Sequence, residues 1–540
     1  MRDSVHVISY DVGTTGAKAC LYRLGAGGAD LVAQAAAEYP LTLLPDGGVE
    51  QEPQDWWNAI CRNTRALLQS SALDPAAVRG LAFCCQMQCL VLVDAQGAPV
   101  RPAMSYMDQR AVQQKRRGIE RGLKIAGMNA RKLLASLLVT GGVSASVKDP
   151  IWKYAWVREN EPEAFRRVAR WLDAKEYLVR RCTGRFAMTP DSANATFLFD
   201  TRPGRLGWSP LICGLFDADP AHLPEVIGPA EEAGKLLPEA ARELGLAAGT
   251  PVFGGGGDLS LVALGSGAVG VNETHVYMGT SGWVSAVTDH RVVDTDSFIA
   301  SILGAVPGRY NYISEQETSG KCLEWVRDHL ALDEIGVYLE HRTVADDSEP
   351  MYRTLFQLLD ETIEAVEPGA QGVIFTPWLR GNRSPFEDPH ARGMFFNIGL
   401  ETGKTAMVRA VAEGIALHGR WQLEAIRHKV PARGPLRFVG GGARSSAMAR
   451  IIADASGETV ETISSPQNAG ALGAALLCAR GLGILDTLTD ARRLVPVHAA
   501  FEPDPGRAAV YDERFGVFKR LWRANRESFR ALNEARARFE

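Results

Sequence analysis

One carboxylate closes the most distinctive run of this 540-residue chain, Val252-Phe253-Gly254-Gly255-Gly256-Gly257-Asp258-Leu259-Ser260. An apolar stretch feeds four glycines, and the residues after Asp258 suit a helix. The glycines let a ligand come close to the backbone and adopt φ values closed to other residues. Asp258 then falls at or next to a helix N-cap, where backbone N–H groups and the helix dipole favour its ionised form. A carboxylate held beside open space can take a proton from a hydroxyl as a general base. Taken alone, the run reads more simply as a glycine turn whose aspartate caps the next helix.

Two further glycine turns change that balance. The strand-like Val5 to Tyr10 leads into Asp11-Val12-Gly13-Thr14-Thr15-Gly16-Ala17-Lys18, and a second alternating stretch follows. The turn therefore joins two strands, and its N–H groups and Thr hydroxyls make an anion-binding concavity. Asp11, at the strand end, is placed to hold a divalent cation through water. The layout recurs at Tyr277-Met278-Gly279-Thr280-Ser281-Gly282-Trp283, and such self-similarity is a fold signature. A third cluster, Gly440-Gly441-Gly442-Ala443, follows a strand and opens a helix, where an adenine or ribose can lie against bare backbone. Gln86-Met87-Gln88 interrupts the apolar run Val78 to Val93, either satisfied in the core or facing a ligand at a strand end.

The elements that carry these turns are those of a large α/β protein. A chain this long exceeds one core, and two domains are the simplest division. A net charge of −4 gives no general affinity for nucleic acid or anionic membrane. The basic run from Arg110 to Lys132 lacks interleaved aromatics and reads as a solvated helical face. Nine scattered cysteines without a C-x-x-C pair suggest reduced thiols and a cytoplasmic home. Met1-Arg2-Asp3-Ser4 runs into a strand without a signal-type apolar stretch, and no apolar run approaches the ~18 residues of a membrane span. Asp55 to Gln69 and Glu163 to Cys182 are expected as helical, a helix starts at Pro150, and the prolines between Thr201 and Pro251 suggest the approach to a domain boundary. Phe515, Phe518, Trp522, Phe529 and Leu532 recur at helical spacing in the tail. Gly265-Ser266-Gly267-Ala268-Val269-Gly270 matches a dinucleotide fingerprint, but it follows a helix and precedes a strand, the reverse of the required context.

The ordered set Asp11-Val12-Gly13-Thr14-Thr15, Gln86-Met87, Asp108-Gln109-Arg110, Lys153-x-x-Trp156, Gly256-Gly257-Asp258, Gly279-Thr280-Ser281-Gly282, Gly381-Asn382-Arg383-Ser384-Pro385 and Gly440-Gly441-Gly442 resembles the FGGY carbohydrate kinases, and among them the xylulokinases. The resemblance implies an α/β fold of two actin-like (ribonuclease H-like, hexokinase-type) domains with the active site in the cleft between them. It implies units at 1–253 and 254–490, with a helical tail at 491–540. The activity implied is transfer of the γ-phosphoryl group of ATP, with Mg²⁺, to a hydroxyl of a ketose, D-xylulose first. Asp258 then matches the catalytic base and Asp11 the metal-associated carboxylate. Gly13, Thr14, Thr15 and Lys18, with Gly279, Thr280 and Ser281, match the phosphate loops, and Gly441, Gly442 and Ala443 the nucleotide side. Gln86, Met87, Gln88, Asp108 and Leu259 fall on the sugar side. Three of those sites depart from the family pattern. Gln88-Cys89 stands for His-Gly, Tyr106-Met107-Asp108 for Trp-Asn-Asp, and Leu259 for Asn, so a kinase for another ketose, pentose or polyol is the alternative. A non-catalytic actin- or chaperone-like ATP switch is a second, and an oxidoreductase using the 265–270 glycines a third. A homodimer is expected from the tail helix and exposed aromatics.

Overall fold

The computed structural model describes residues 4–25, 27–330, 357 and 359–534. Its framework is two seven-stranded sheets built on one plan. In the first, Val5–Val12 pairs antiparallel with Gly16–Gly25, which pairs antiparallel with Gly28–Glu38. On its other side Val5–Val12 runs parallel to Val78–Cys85, then come parallel Pro251–Phe253 and antiparallel Glu232–Lys235. The second sheet repeats that order. Glu273–Met278 takes the place of the first strand, Gly282–Thr288 and Tyr310–Gln316 lie antiparallel on one side, and Arg433–Val439, Val460–Ile463 and Val497–Phe501 lie on the other. One more strand, Ala300–Leu303, extends its edge.

Between the sheets lie two helices, Asp258–Ser266 and Ala469–Gly481, apolar and buried on nearly every side. A helix of that kind has no solvent face and belongs in a core. Their glycines let them touch: a Cβ on Gly265 would overlap the Ala469 carbonyl oxygen, and one on Gly473 would overlap that of Leu261. The 265–270 glycines thus serve a helix crossing and a left-handed helix end at Gly267. The surrounding apolar cluster draws on both sheets, with Val7, Ala82 and Cys84 from the first and Trp283, Ile313 and Val439 from the second. Strand Gly256–Gly257 pairs with Val78–Cys85, so the turn before Asp258 is bonded to the first sheet. Farther out, Arg291 donates to the Leu138 and Val139 carbonyls at 2.8 and 2.9 Å, capping helix Ala130–Val139 of the other half.

Residues drawn from Leu90 to Leu223 form a further core around Trp152, Tyr154, Trp171 and Ile212, while helix Ala174–Thr183 within that span packs with the first sheet. Pro53–Ser71 and Pro150–Asn160 are helices with proline in the first turn, where a missing N–H costs nothing. The basic run is only partly helical: Val112–Ile119 and Ala130–Val139 flank a small hairpin, Lys124–Ile125 with Met128–Asn129, whose turn uses left-handed Ala126 and Gly127. Glu163 to Cys182 is likewise broken, into Pro162–Phe165, strand Arg170–Leu172 and helix Ala174–Thr183, because the strand pairs with Val91–Val93. Tertiary pairing overrode local propensity there. The tail helix Pro505–Asn533 buries Phe515, Phe518 and Phe529 and leaves Leu532 exposed. All nine cysteines are free and buried. Among the described residues no helix is long and apolar enough to cross a membrane.

Candidate active site

Asp258 opens helix Asp258–Ser266 with Gly257 as its N-cap, and its Oδ1 accepts the Leu259 N–H at 2.9 Å. Burial pushes its carboxyl up to about 7 against the pull of that N–H, and repulsion from Asp11 and Glu315 adds to the rise. Asp11 comes from the first sheet and Glu315 from the second, so Asp258 stands where the two halves face each other. An acid poised near neutrality suits proton transfer.

The two glycine hairpins converge on the same place. Asp11 sits opposite Lys18 across the first. Burial raises its pKa, while Lys18 and the Cys84 thiol pull it down. Lys18 Nζ reaches over to the Gln467 carbonyl at 2.8 Å, tying this hairpin to the loop before helix Ala469–Gly481. In the second hairpin Tyr277 occupies the equivalent of Asp11 and feels the charges of both Asp11 and Asp258. Its turn rests on the start of helix Gly320–His329: Gly320 N–H bonds the Gly279 carbonyl at 2.8 Å and Ser319 N–H that of Thr280 at 3.0 Å. Thr15, Thr280 and Ser281 are exposed at the tips, and Gly13 and Thr14 half-buried. Gly441 has open space where a Cβ would stand, while Gly442 and Ala443 pack beneath it. Helix Ser446–Ser456 follows, its start fixed by Asp360, which accepts from Ser445 Oγ and from Ser446 N–H at 3.1 Å.

On the other flank the Gln86–Cys89 turn approaches Asp258 from the first sheet. The Met87 thioether fills the space that a Cβ on Gly257 would need. Gln86 donates to Gln51 Oε1 at 2.9 Å, and Gln51 donates to the Thr14 carbonyl at 2.7 Å, so this turn and the first hairpin share one amide relay. Gln86 Oε1 is buried without a partner among the described residues, which is how an acceptor for a ligand hydroxyl looks. Tyr106, 38% exposed, accepts from Thr14 Oγ1 at 3.3 Å and lies within electrostatic reach of Asp258. Leu259 is half-buried against the interlayer core. Asp108 is placed differently from the sugar contact expected of it. It is fully buried, with Oδ2 taken by Val49 N–H at 2.9 Å and Arg110 at 2.7 Å, and Oδ1 by Arg110 N–H at 3.1 Å. A carboxylate so occupied has no face left for a hydroxyl; it fixes the loop behind Tyr106.

Several supporting residues carried no sequence signal. Asp191 Oδ2 accepts the Gly257 N–H at 2.7 Å and the Ser260 hydroxyl, and its Oδ1 accepts from Thr189 and from Ser192 N–H at 2.9 Å. Behind it buried Lys175 bonds Thr189 Oγ1 at 2.6 Å and pairs with Glu176. The glycine turn is therefore clamped from behind by a buried polar network in which Asp191 and Lys175 are each paired, as a buried charge requires. Arg383, in the Gly381-to-Pro385 motif, pairs with Glu315. Asp191 lies 66 residues from Gly257, and Lys175, which also reaches the Gly254 carbonyl, lies 79 residues from it, beyond the reach of local pattern.

Two converging glycine hairpins, a bare-backbone shelf and a near-neutral acid on an actin-like two-domain ATPase fold fit a phosphotransferase that uses a nucleotide. Comparison with known proteins gives the family. The model of the FGGY family of carbohydrate kinases, N-terminal domain, matches residues 6–265, and the C-terminal domain of the same family matches 275–482. The chain belongs to the FGGY family of carbohydrate kinases and is a sugar kinase. It is 29% identical over 515 residues to the xylulose kinase of Escherichia coli (strain K12), covering 95% of this chain and 98% of that one. It is 28% identical to the xylulose kinase of Lactococcus lactis subsp. lactis, covering 98% and 99%. The crystal structure of a gluconate kinase from Lactobacillus acidophilus superposes with a TM-score of 0.81 at 22% identity, over 98% of this chain and all 100% of that one, which shows the shared fold.

The phosphoryl donor of this family is ATP with Mg²⁺, and the residues present fit that pair. Mg²⁺ on a nucleotide keeps water and phosphate oxygens and needs only one or two carboxylates. Asp11, whose carboxyl is raised by burial, is such a group, with Asp258 near enough to feel it. Bound there, the ion supplies charge neutralisation for the phosphates.

Proposed function

We propose that the chain phosphorylates a ketose, with D-xylulose the first candidate, and that Asp258 is its general base. The observation that supports this reading is the position of Asp258. It opens the first turn of an interlayer helix, within electrostatic reach of both hairpins, with the Gln86–Gln88 turn packed on the adjoining glycine through Met87. In the reaction the acceptor hydroxyl oxygen forms a bond to the γ-phosphorus, the bond from that phosphorus to the β–γ bridging oxygen breaks, ADP leaves, and the hydroxyl proton passes to the Asp258 carboxylate. Phosphoryl transfer of this kind depends on positioning and charge stabilisation. Gly13, Thr14, Thr15 and Lys18 face the phosphates from one half, and Gly279, Thr280 and Ser281 from the other. Gly441, Gly442 and Ala443 take the nucleoside, Gln86, Met87, Gln88 and Leu259 the sugar, and Asp11 the metal. Asp108 is proposed here as a brace for the sugar side.

The working units are residues 1–253 and 254–490, followed by the tail 491–540, from which strand Val497–Phe501 joins the second sheet and helix Pro505–Asn533 packs on that half; the protein acts in the cytoplasm, as a homodimer. A kinase for another ketose, pentose or polyol is the second reading, favoured by Gln88 and Leu259, because a site that pairs hydroxyls rejects analogues that leave its groups unpaired. The test is ADP release across pentuloses, hexuloses, pentoses and polyols, with wild type and Asp258→Asn side by side. Sugar-dependent turnover with D-xylulose, lost in the variant, is expected. ATP turnover indifferent to every sugar would instead support a nucleotide switch.

A further inference from the structure

The turn that carries Gln88 is held in an unfavourable shape by two buried charges from outside it. Gln88 has φ +64°, a left-handed conformation that is strained for a non-glycine residue and persists only where the surroundings over-determine it. Both sides of the residue are gripped. Its N–H donates to Asp173 Oδ2 at 2.7 Å, and the next N–H, of Cys89, donates to Oδ1 of the same carboxylate at 3.0 Å. Its carbonyl accepts from Lys153 Nζ at 2.6 Å. That ammonium, fully buried, also donates to the Ser105 carbonyl at 2.9 Å, one residue before Tyr106. One cation therefore ties together the two loops that flank Asp258 on this side.

The same helix, Pro150–Asn160, presents Trp156 three residues on, and the Arg110 guanidinium stacks on its ring at 4.5 Å while bonding Asp108 and Glu50. Lys153 has no carboxylate partner at ion-pair distance among the described residues; its contacts are two backbone carbonyls. Burying an ammonium against two carbonyls is costly where a methionine would fill the same space. The expense is explained if the bonds themselves are needed.

We propose that Lys153 and Asp173 are positioning residues for substrate selection: together they fix the Gln88 backbone in its left-handed form and dock it to the Ser105–Tyr106 loop, so that the Gln88 side chain faces the acceptor sugar. This rests on the reading above that the 86–88 turn is the sugar side. It explains why a lysine and a tryptophan are spaced at i and i+3 on a helix that itself lies behind the wall: one holds the first loop, and the other stacks on the arginine that holds the second.

The experiment is a double-mutant cycle on sugar kinetics with Lys153→Met, Gln88→Gly and the combination, checked for folding by thermal melt and for nucleotide handling by the KM for ATP. Gln88→Gly is expected to keep the fold, since glycine takes that φ freely, and to raise the sugar KM about tenfold. Lys153→Met is expected to raise the sugar KM by a similar factor and to flatten the ranking among sugars, with the KM for ATP unchanged within about twofold. In the Gln88→Gly background Lys153→Met should add less than about twofold, because the two act through one group. Full additivity, or an equal loss in the KM for ATP, overturns the proposal. An unchanged sugar KM in Gln88→Gly defeats the sugar-side reading itself; a raised one with Lys153→Met silent defeats only the proposal. Should Lys153→Met fail to fold, Asp173→Asn, which keeps an acceptor oxygen for one of the two N–H groups, completes the same cycle with the same expected and overturning outcomes.

Discussion

The two glycine hairpins occupy the same place in two sheets of the same pairing order, yet they are not equivalent. The first places Asp11 opposite Lys18, a charged pair at the mouth of the turn. The second places Tyr277 opposite Trp283, their rings stacked at 3.9 Å. The registers differ as well: Val12 pairs with Ala17, four residues lying between them, whereas Met278 pairs with Gly282 across three. A shift of one residue turns every side chain to the opposite face. Duplicated backbone thus gives two glycine turns facing one acid, and side-chain divergence gives one a charged mouth and the other a packed one. Where a charge is needed, one copy suffices; a second set of carboxylates would only add repulsion around Asp258.

That contrast can be broken at several points. The largest effect is expected at the residue that has no counterpart in either hairpin: Asp258→Ala should lower sugar phosphorylation about 10²- to 10⁴-fold with ATP binding nearly intact. The pH profile sharpens this. A general base works ionised, so in the proposed role of Asp258 kcat/KM for the sugar should rise with pH through about 7, the value to which burial pushes its carboxyl. The same shift has a stability consequence. An acid whose folded pKa lies above its unfolded one loses stability as pH climbs from about 4 to 7. Asp258→Asn should therefore melt higher than wild type at pH 8, with the gap closing toward pH 4; equal melting at both pH values would contradict the burial.

Next in size is a paired change at the turns. Gly13→Val and Gly279→Val should each raise the KM for ATP about tenfold or more, because a backbone hydrogen bond to a charged group contributes about 1.5–3 kcal/mol. An unchanged KM in both would end the idea of a two-sided grip. The alanine versions should separate the hairpins. A Cβ on Gly13 meets only the Gly16 carbonyl at an ordinary 3.5 Å, whereas one on Gly279 meets the Tyr277 hydroxyl at 2.5 Å. Gly13→Ala should stay within about 0.5 kcal/mol of wild type, and Gly279→Ala should lose about 1–3 kcal/mol by overpacking, read by denaturant melts. Smallest is Lys18→Met, which removes the cation that draws the Asp11 pKa down and the bond to Gln467. The Mg²⁺ concentration for half-activity should rise a few-fold, and an unchanged value would remove Lys18 from the metal side of the site.

The site was legible wherever its chemistry depends on local backbone. Glycine clusters announce a close approach to phosphate or to another helix because a missing Cβ is a sterically local property, and the strand–turn–strand pattern around Gly13 and Gly279 is set by neighbours in sequence. The first residue of the helix after Gly257 could be read for the same reason. Asp108 could not: it stands beside Arg110 in the chain, but whether its oxygens face a sugar or a guanidinium depends on where residues 49 and 50 arrive in space. The solvated helical face expected of the basic run is only partly present, because Lys124–Ile125 and Met128–Asn129 pair with each other between the two helices.

By itself, the amino-acid order determined the α/β character, the duplicated turns and the acid at the head of a helix, written in steric and periodic patterns a few residues long, while the ordered set of motifs carried the resemblance that implied the kind of fold. Tertiary structure alone decided which buried charges meet: Asp191 with the Gly257 amide, Lys153 with the Gln88 and Ser105 carbonyls, Lys18 with Gln467. A charge excluded from water must find its partner through space, and the partners that satisfy it here are separated along the chain by 48 to 449 residues.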